Sequence, residues 1–143
     1  MGSLDDLKIL DFSTLLPGPY ATLMLADMGA EVLKISSASR PDIVLDYPPF
    51  IGDTGVSASQ AWLGRNKKTM FLNLKTGEGK AVVKELVKEY DIVLEQFRPG
   101  VMEKLGLGYE DLKAVNPKLI YCSLTGYGQT GPLRDAAGHD INY

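Results

Sequence analysis

Cysteine and histidine are nearly missing from this chain of 143 residues, which holds one of each. A lone thiol, Cys122, cannot form an internal disulfide, and a reducing compartment is the natural setting for such a sequence. One Cys and one His cannot supply the ligand set of a structural zinc site, so no metal is expected. Long hydrophobic runs are absent too. No stretch approaches the roughly 18 apolar residues of a membrane-spanning helix. The amino terminus carries Asp5 and Asp6 where a secretory signal needs positive charge. An intracellular protein is expected, cytoplasmic or organellar in a eukaryote, with no membrane partner. An excess of basic charge is also lacking. Fifteen Lys and Arg against 18 Asp and Glu give a net charge of −3. That argues against nucleic acid as a partner, and it requires any anionic ligand to be held by a local cluster of cations.

What is present fits one globular domain: 45% hydrophobic and 23% charged residues, enough chain to bury a normal core. Lys8–Phe12 reads as a buried strand, and Ser13–Pro19 as a turn whose Pro-Gly-Pro centre continues neither strand nor helix. Tyr20–Met28 reads as a helix and Glu31–Ile35 as a second strand, together a parallel βαβ unit. Residues 36–59 are rich in Ser, Pro, Gly and Asp and show no period. So long a loop is either mobile and functional or covered by another part of the protein. A short helix at Ser59–Leu63 precedes the basic cluster Arg65-Asn-Lys-Lys68, and Thr69–Asn73 is a third strand. Gly79–Tyr90 is the clearest helix, with Val82, Val83, Leu86, Val87 and Tyr90 on one face. Asp91–Glu95 is a fourth strand, Val101–Leu105 and Tyr109–Val115 are short helices, and Leu119–Ser123 is a fifth strand.

Strands alternating with helices predict an α/β fold, a Rossmann-like open and mostly parallel sheet with helices on both faces. Ligands of such sheets bind beyond the carboxyl ends of the strands. A dinucleotide fingerprint needs glycines directly after the first strand, and Leu15-Leu-Pro-Gly-Pro19 has one glycine between two prolines, so that match fails. Lys75, Arg98 and Lys104 lie near predicted strand ends, where cations reach phosphates, with solvated surface charge as the plainer reading of each. Arg65, Lys67 and Lys68 form either a phosphate contact or an exposed basic patch. His139, in Asp135-Ala-Ala-Gly-His-Asp-Ile-Asn-Tyr143, follows the glycine-rich stretch Thr125–Pro132. Neutral imidazole suits proton abstraction near neutral pH, which makes His139 the candidate base.

Several short motifs, in order, resemble the family III CoA-transferases. They are Leu10-Asp-Phe12 with Pro17-Gly-Pro19, Gly29–Ile35, Asn66-Lys-Lys68 with Leu72–Gly79, Phe97-Arg-Pro-Gly100, and Gly126–Pro132. Gly138-His-Asp-Ile-Asn-Tyr143 is similar to the α-methylacyl-CoA racemase branch, whereas transferase members use an aspartate nucleophile farther along the chain. The resemblance implies that residues 1–143 are the amino-terminal part of a CoA-binding large domain. A small domain and a returning segment would lie elsewhere, and the full-length family forms an interlocked homodimer. It implies contacts to the coenzyme A of an acyl-CoA substrate from Leu72, Asn73, Leu74, Lys75, Gln96, Phe97, Arg98, Lys104, Gly138, Asp140 and Tyr143. Arg40 would replace an arginine that the family often places where this chain has Ser37. No cofactor beyond the substrate's own coenzyme A moiety is implied.

The activity so implied is interconversion of (R)- and (S)-2-methylacyl-CoA, with His139 as one base and a partner acid beyond Tyr143. The isolated chain is then expected to be inactive in racemisation. A CoA-transferase with a downstream Asp nucleophile and a non-enzymatic α/β binding module are the alternatives. Asp140 reads more readily as a helix cap than as a catalytic group.

Overall fold

The computed structural model describes residues 2–139 and gives five strands in a single sheet. They are β1 (Lys8–Asp11), β2 (Glu31–Ser36), β3 (Lys67–Phe71), β4 (Ile92–Glu95) and β5 (Ile120–Ser123). Every pairing is parallel and the spatial order is β3-β2-β1-β4-β5. The order reverses between β1 and β4, and this is the switch point at which doubly wound sheets open a crevice. The helices are α1 (Pro17–Asp27), α2 (Ala58–Leu63), α3 (Gly77–Val87), α4 (Val101–Leu105) and α5 (Tyr109–Lys113).

Alternation along the strands divides the core in two. Leu10, Leu33, Ile35 and Val93 face one side, where they pack with Val83 and Val87 of α3, Met102 of α4 and Leu112 of α5. Ile9 and Val32 face the other side and pack with Ala26 of α1. Both faces of β1 and β2 are thus buried, which is why these strands read as nearly continuous apolar runs. The α/β sheet with helices on both faces expected from the sequence is the fold observed.

Two local features differ from the expectation, and a third adds detail to it. Pro17-Gly-Pro19 forms the first turn of α1 instead of preceding it. Proline is well suited there, because first-turn amides have no partner within the helix and its fixed φ is already helical. β3 starts at Lys67, two residues earlier than expected, so the basic cluster belongs partly to the sheet. Residues 37–57 contain no helix or strand, as expected, yet they are tied down at several points. Ser37 bridges Arg40 and Phe50 bridges Ser57. Ser57 donates its hydroxyl to the Leu45 carbonyl and caps α2 by accepting from the Gln60 amide.

Candidate functional site

The carboxyl ends of β1 and β4 diverge at the switch point, where the turn after β1 faces Gln96. Gln96 Nε2 lies 3.4 Å from Thr14 Oγ1. A Cβ at Gly18 would come within 2.8 Å of Gln96 Oε1 and collide with the Ser13 side chain. Glycine is therefore what lets the first turn of α1 approach the end of β4. Pro17 and Pro19 carry no amide hydrogen, so this helix start cannot cradle a pyrophosphate as a glycine-rich turn does.

Beneath the turn lies a buried polar network. Asp11, at the end of β1, accepts from the Ser13 amide at 2.8 Å and from the Ser13 and Thr22 hydroxyls. Lys67 enters from β3 and donates to the Pro19 carbonyl at 2.6 Å and to Thr22 Oγ1 at 2.8 Å. Its Nζ stands 3.8 Å from Asp11, and both side chains are essentially excluded from solvent. Burial pushes the Lys67 ammonium down to about 8, against the opposing pull of Asp11. A second buried pair, Lys34–Asp42 at 3.0 Å, lies beside it. Asp42 also accepts the Leu15 amide with both oxygens at 3.1 Å. Leu15 has a φ of 61°, an unfavourable value for a side chain of its size, and this bifurcated contact holds it there. The loop 37–57 is thereby anchored to the turn after β1.

Among the residues expected to contact a ligand, Leu72 and Asn73 border a cavity of about 180 Å³ with Ser37, Ala38, Ser39 and Phe71, at the ends of β2 and β3. Arg40 is exposed and its backbone pairs with Ser37, which brings it next to this cavity's rim. Leu74 and Phe97 are half-buried against the larger core. Lys75 and Lys104 are exposed, the latter in the last turn of α4. Arg98 donates to the Asp135 carbonyl at 2.7 Å, pinning the segment that leads to His139 onto the end of β4. Gly138 is half-buried and His139 exposed. Asp140 and Tyr143 lie outside the described residues.

At the ends of β4 and β5, Gln96 Oε1 and Thr125 Oγ1 are buried atoms with no hydrogen-bond partner among the described residues. Buried acceptors are nearly always satisfied, so these two point to where a water or a ligand group belongs. Glu95, the last residue of β4, is buried and accepts the Phe97 amide at 2.8 Å. Burial raises its carboxyl above the usual range, against hydrogen bonds from Ser123 and the Phe97 backbone.

The basic cluster resolves differently from either sequence reading. Arg65 binds Asp27, with Nε at 3.0 Å, and Lys67 is buried, while Lys68 is exposed and 3.6 Å from Glu31. Period-two alternation along β3 separates the two lysines, turning Lys67 inward and Lys68 outward. Asp11 and Lys34 escaped the sequence reading, each a charge inside an apolar run. Among the described residues no group of His, Cys, Asp and Glu is placed to hold a metal ion. None of their helices is long and apolar enough to cross a membrane.

An all-parallel sheet whose strand order reverses between β1 and β4, with helices on both faces, is a doubly wound α/β domain without the dinucleotide turn. Comparison with known proteins sharpens this: the sequence model of CoA-transferase family III matches residues 4–143, and the chain belongs to that family. It is 43% identical to human succinyl-CoA:glutarate CoA-transferase, over 96% of this chain and 31% of the relative. It is 44% identical to succinyl-CoA–D-citramalate CoA-transferase of Chloroflexus aurantiacus, over 94% of this chain and 33% of the relative. A crystal structure of a CAIB/BAIF family protein from Brucella suis superposes with a TM-score of 0.91 at 40% identity, covering 98% of this chain and 38% of that one. The chain thus spans about a third of the length of these curated relatives.

Proposed function

We propose that the chain is the CoA-binding portion of a CoA-transferase that moves coenzyme A from an acyl-CoA to a free carboxylic acid. The similarity to human succinyl-CoA:glutarate CoA-transferase, 43% identity along 96% of the chain, carries this reading. The relatives named above act on succinyl-CoA with a dicarboxylic acceptor, which makes dicarboxylic acids the substrate class of choice. Neither of them is a racemase, so the transferase is preferred to the racemase suggested by Gly138-His-Asp140. Residues 1–143 then correspond to the amino-terminal part of the large domain of a longer polypeptide, which supplies the nucleophilic aspartate. The partners are an acyl-CoA and a second copy of the chain, with no cofactor beyond the coenzyme A moiety.

The crevice suits this task. Leu72 and Asn73 border a small cavity at one set of strand ends, with Arg40 paired to Ser37 on its rim, and the buried oxygens of Gln96 and Thr125 lie at another. A transferase must hold a long nucleotide-tailed thioester while keeping water from the acyl group, because hydrolysis would waste the thioester. Two measurements test the proposal. Calorimetric titration of the chain with coenzyme A should give saturable binding, and its absence would contradict the assigned crevice. The longer polypeptide, mixed with succinyl-CoA and glutarate, should yield glutaryl-CoA by chromatography. Racemisation of a 2-methylacyl-CoA without any exchange would instead restore the isomerase reading.

A further inference from the structure

Helix α1 begins at the crevice without the usual means of fixing a helix start. Its N-cap, Leu16, makes no side-chain hydrogen bond, and its first turn has no acidic residue. Two prolines remove amide donors that a cap would otherwise hold. Yet this turn must be placed closely, because Gly18 sits against Gln96 and Ser13 with no room for a methyl group.

The bond that fixes it comes from another element. Lys67 reaches from edge strand β3 and donates to the carbonyl of Pro19 at 2.6 Å, one residue from Gly18. Thr22, one turn further along α1, accepts from the same ammonium group at 2.8 Å and donates to Asp11. Burying a lysine is costly, and an apolar side chain would fill the space with a smaller penalty. A charge retained there is explained by what it holds.

We propose that Lys67 is a positioning residue for the strand-end crevice: its ammonium group fixes the Pro19 carbonyl, and with it the first turn of α1 that carries Gly18 against Gln96. The effect on coenzyme A binding rests on the transferase reading above, whereas the effect on the turn does not. Three charged groups act on the ammonium from the surrounding elements. Asp11 of β1 and Asp27 of α1 favour its charge, Lys34 of β2 opposes it, and desolvation opposes it most. Asp27 is itself bound by Arg65 and Asn66.

The test uses the whole chain labelled with ¹³C and ¹⁵N. In the unmodified protein the carbonyl resonance of Pro19 should titrate with a midpoint near the Lys67 value of about 8. Lys67→Met should displace the Pro19 and Gly18 resonances and weaken coenzyme A binding by about fivefold or more. Val83→Ala opens a cavity in the core on the opposite face of the sheet and leaves the Lys67–Pro19 contact in place. It should lower the unfolding midpoint while leaving those two resonances near their original positions. A Pro19 carbonyl that does not respond between pH 7 and 9.5, or equal losses of coenzyme A affinity in the two variants, would overturn the proposal. If Lys67→Met does not fold, the titration of the unmodified chain still decides. If the unmodified chain binds no coenzyme A, the transferase reading fails, and the Pro19 response still reports on Lys67.

Discussion

Lys67 is an unusual residue to find beneath an apolar helix, and its burial has a consequence for stability. Desolvation lowers its folded value from 10.5 to about 8, so between those two the unfolded chain binds more protons than the folded one. Stability from this group is therefore lost as pH falls through 8 and regained as pH rises toward 10.5. Tyr90 works the other way, since burial and Glu31 raise its phenol to about 12, and it subtracts stability once the unfolded phenol ionises above 10. Burial raises the Tyr121 phenol in the same direction. The window from pH 8 to 10 thus isolates Lys67, and a gain on the order of 2 kcal/mol is expected there. Urea unfolding at pH 8 and pH 10 measures it. Lys67→Met should show no such rise, and the same slope in both proteins would assign the effect to other groups.

At the scale of elements, helix α1 shows where sequence patterning stops being informative. Helix α3 was legible because its apolar residues repeat at helical spacing and Thr76 caps it by accepting the Gly79 amide. The start of α1 was not legible, because a Pro-Gly-Pro sequence resembles a breaker until its position in the first turn is known. The glycine between the prolines is fixed by tertiary approach, a long-range cause that no local window contains. Gly18→Ala should consequently overpack the contact with Ser13 and Gln96 and cost about 1–3 kcal/mol. Because Gln96 must retreat for the methyl group, coenzyme A affinity should fall together with the unfolding midpoint. Gly77, which has open space where its Cβ would be, is the control: its alanine variant should change neither. A Gly18→Ala protein as stable as the parent would mean that the turn and β4 are not in register.

Across the whole molecule, the sheet and the order of its elements could be read from the alternation of apolar runs, and the ends of the strands followed from that. The charged groups that organise the crevice could not, since Asp11, Lys34 and Lys67 are interpretable only once their opposite numbers across the sheet are known. The outer surface raises a further question of partnership. Leu16, Tyr20, Met24 and Met28 recur every fourth residue from the N-cap of α1 to its C-cap and are each 44–53% exposed. Trp62 of α2 extends this ridge, its ring 5.8 Å from that of Tyr20. Four residues per step place these side chains on one line of the helix, so the apolar surface is contiguous and not scattered. A second copy of the chain, the partner proposed above, would gain most by covering it. Sedimentation at micromolar concentrations should then show a dimer, and Tyr20→Glu with Met24→Glu should shift it to monomer with the unfolding midpoint retained. A chain that stays monomeric, or a double variant that still dimerises, would move the contact to another face. Ile120 and Phe71, 59% and 65% exposed on the two edge strands, are the next surfaces to substitute in that event.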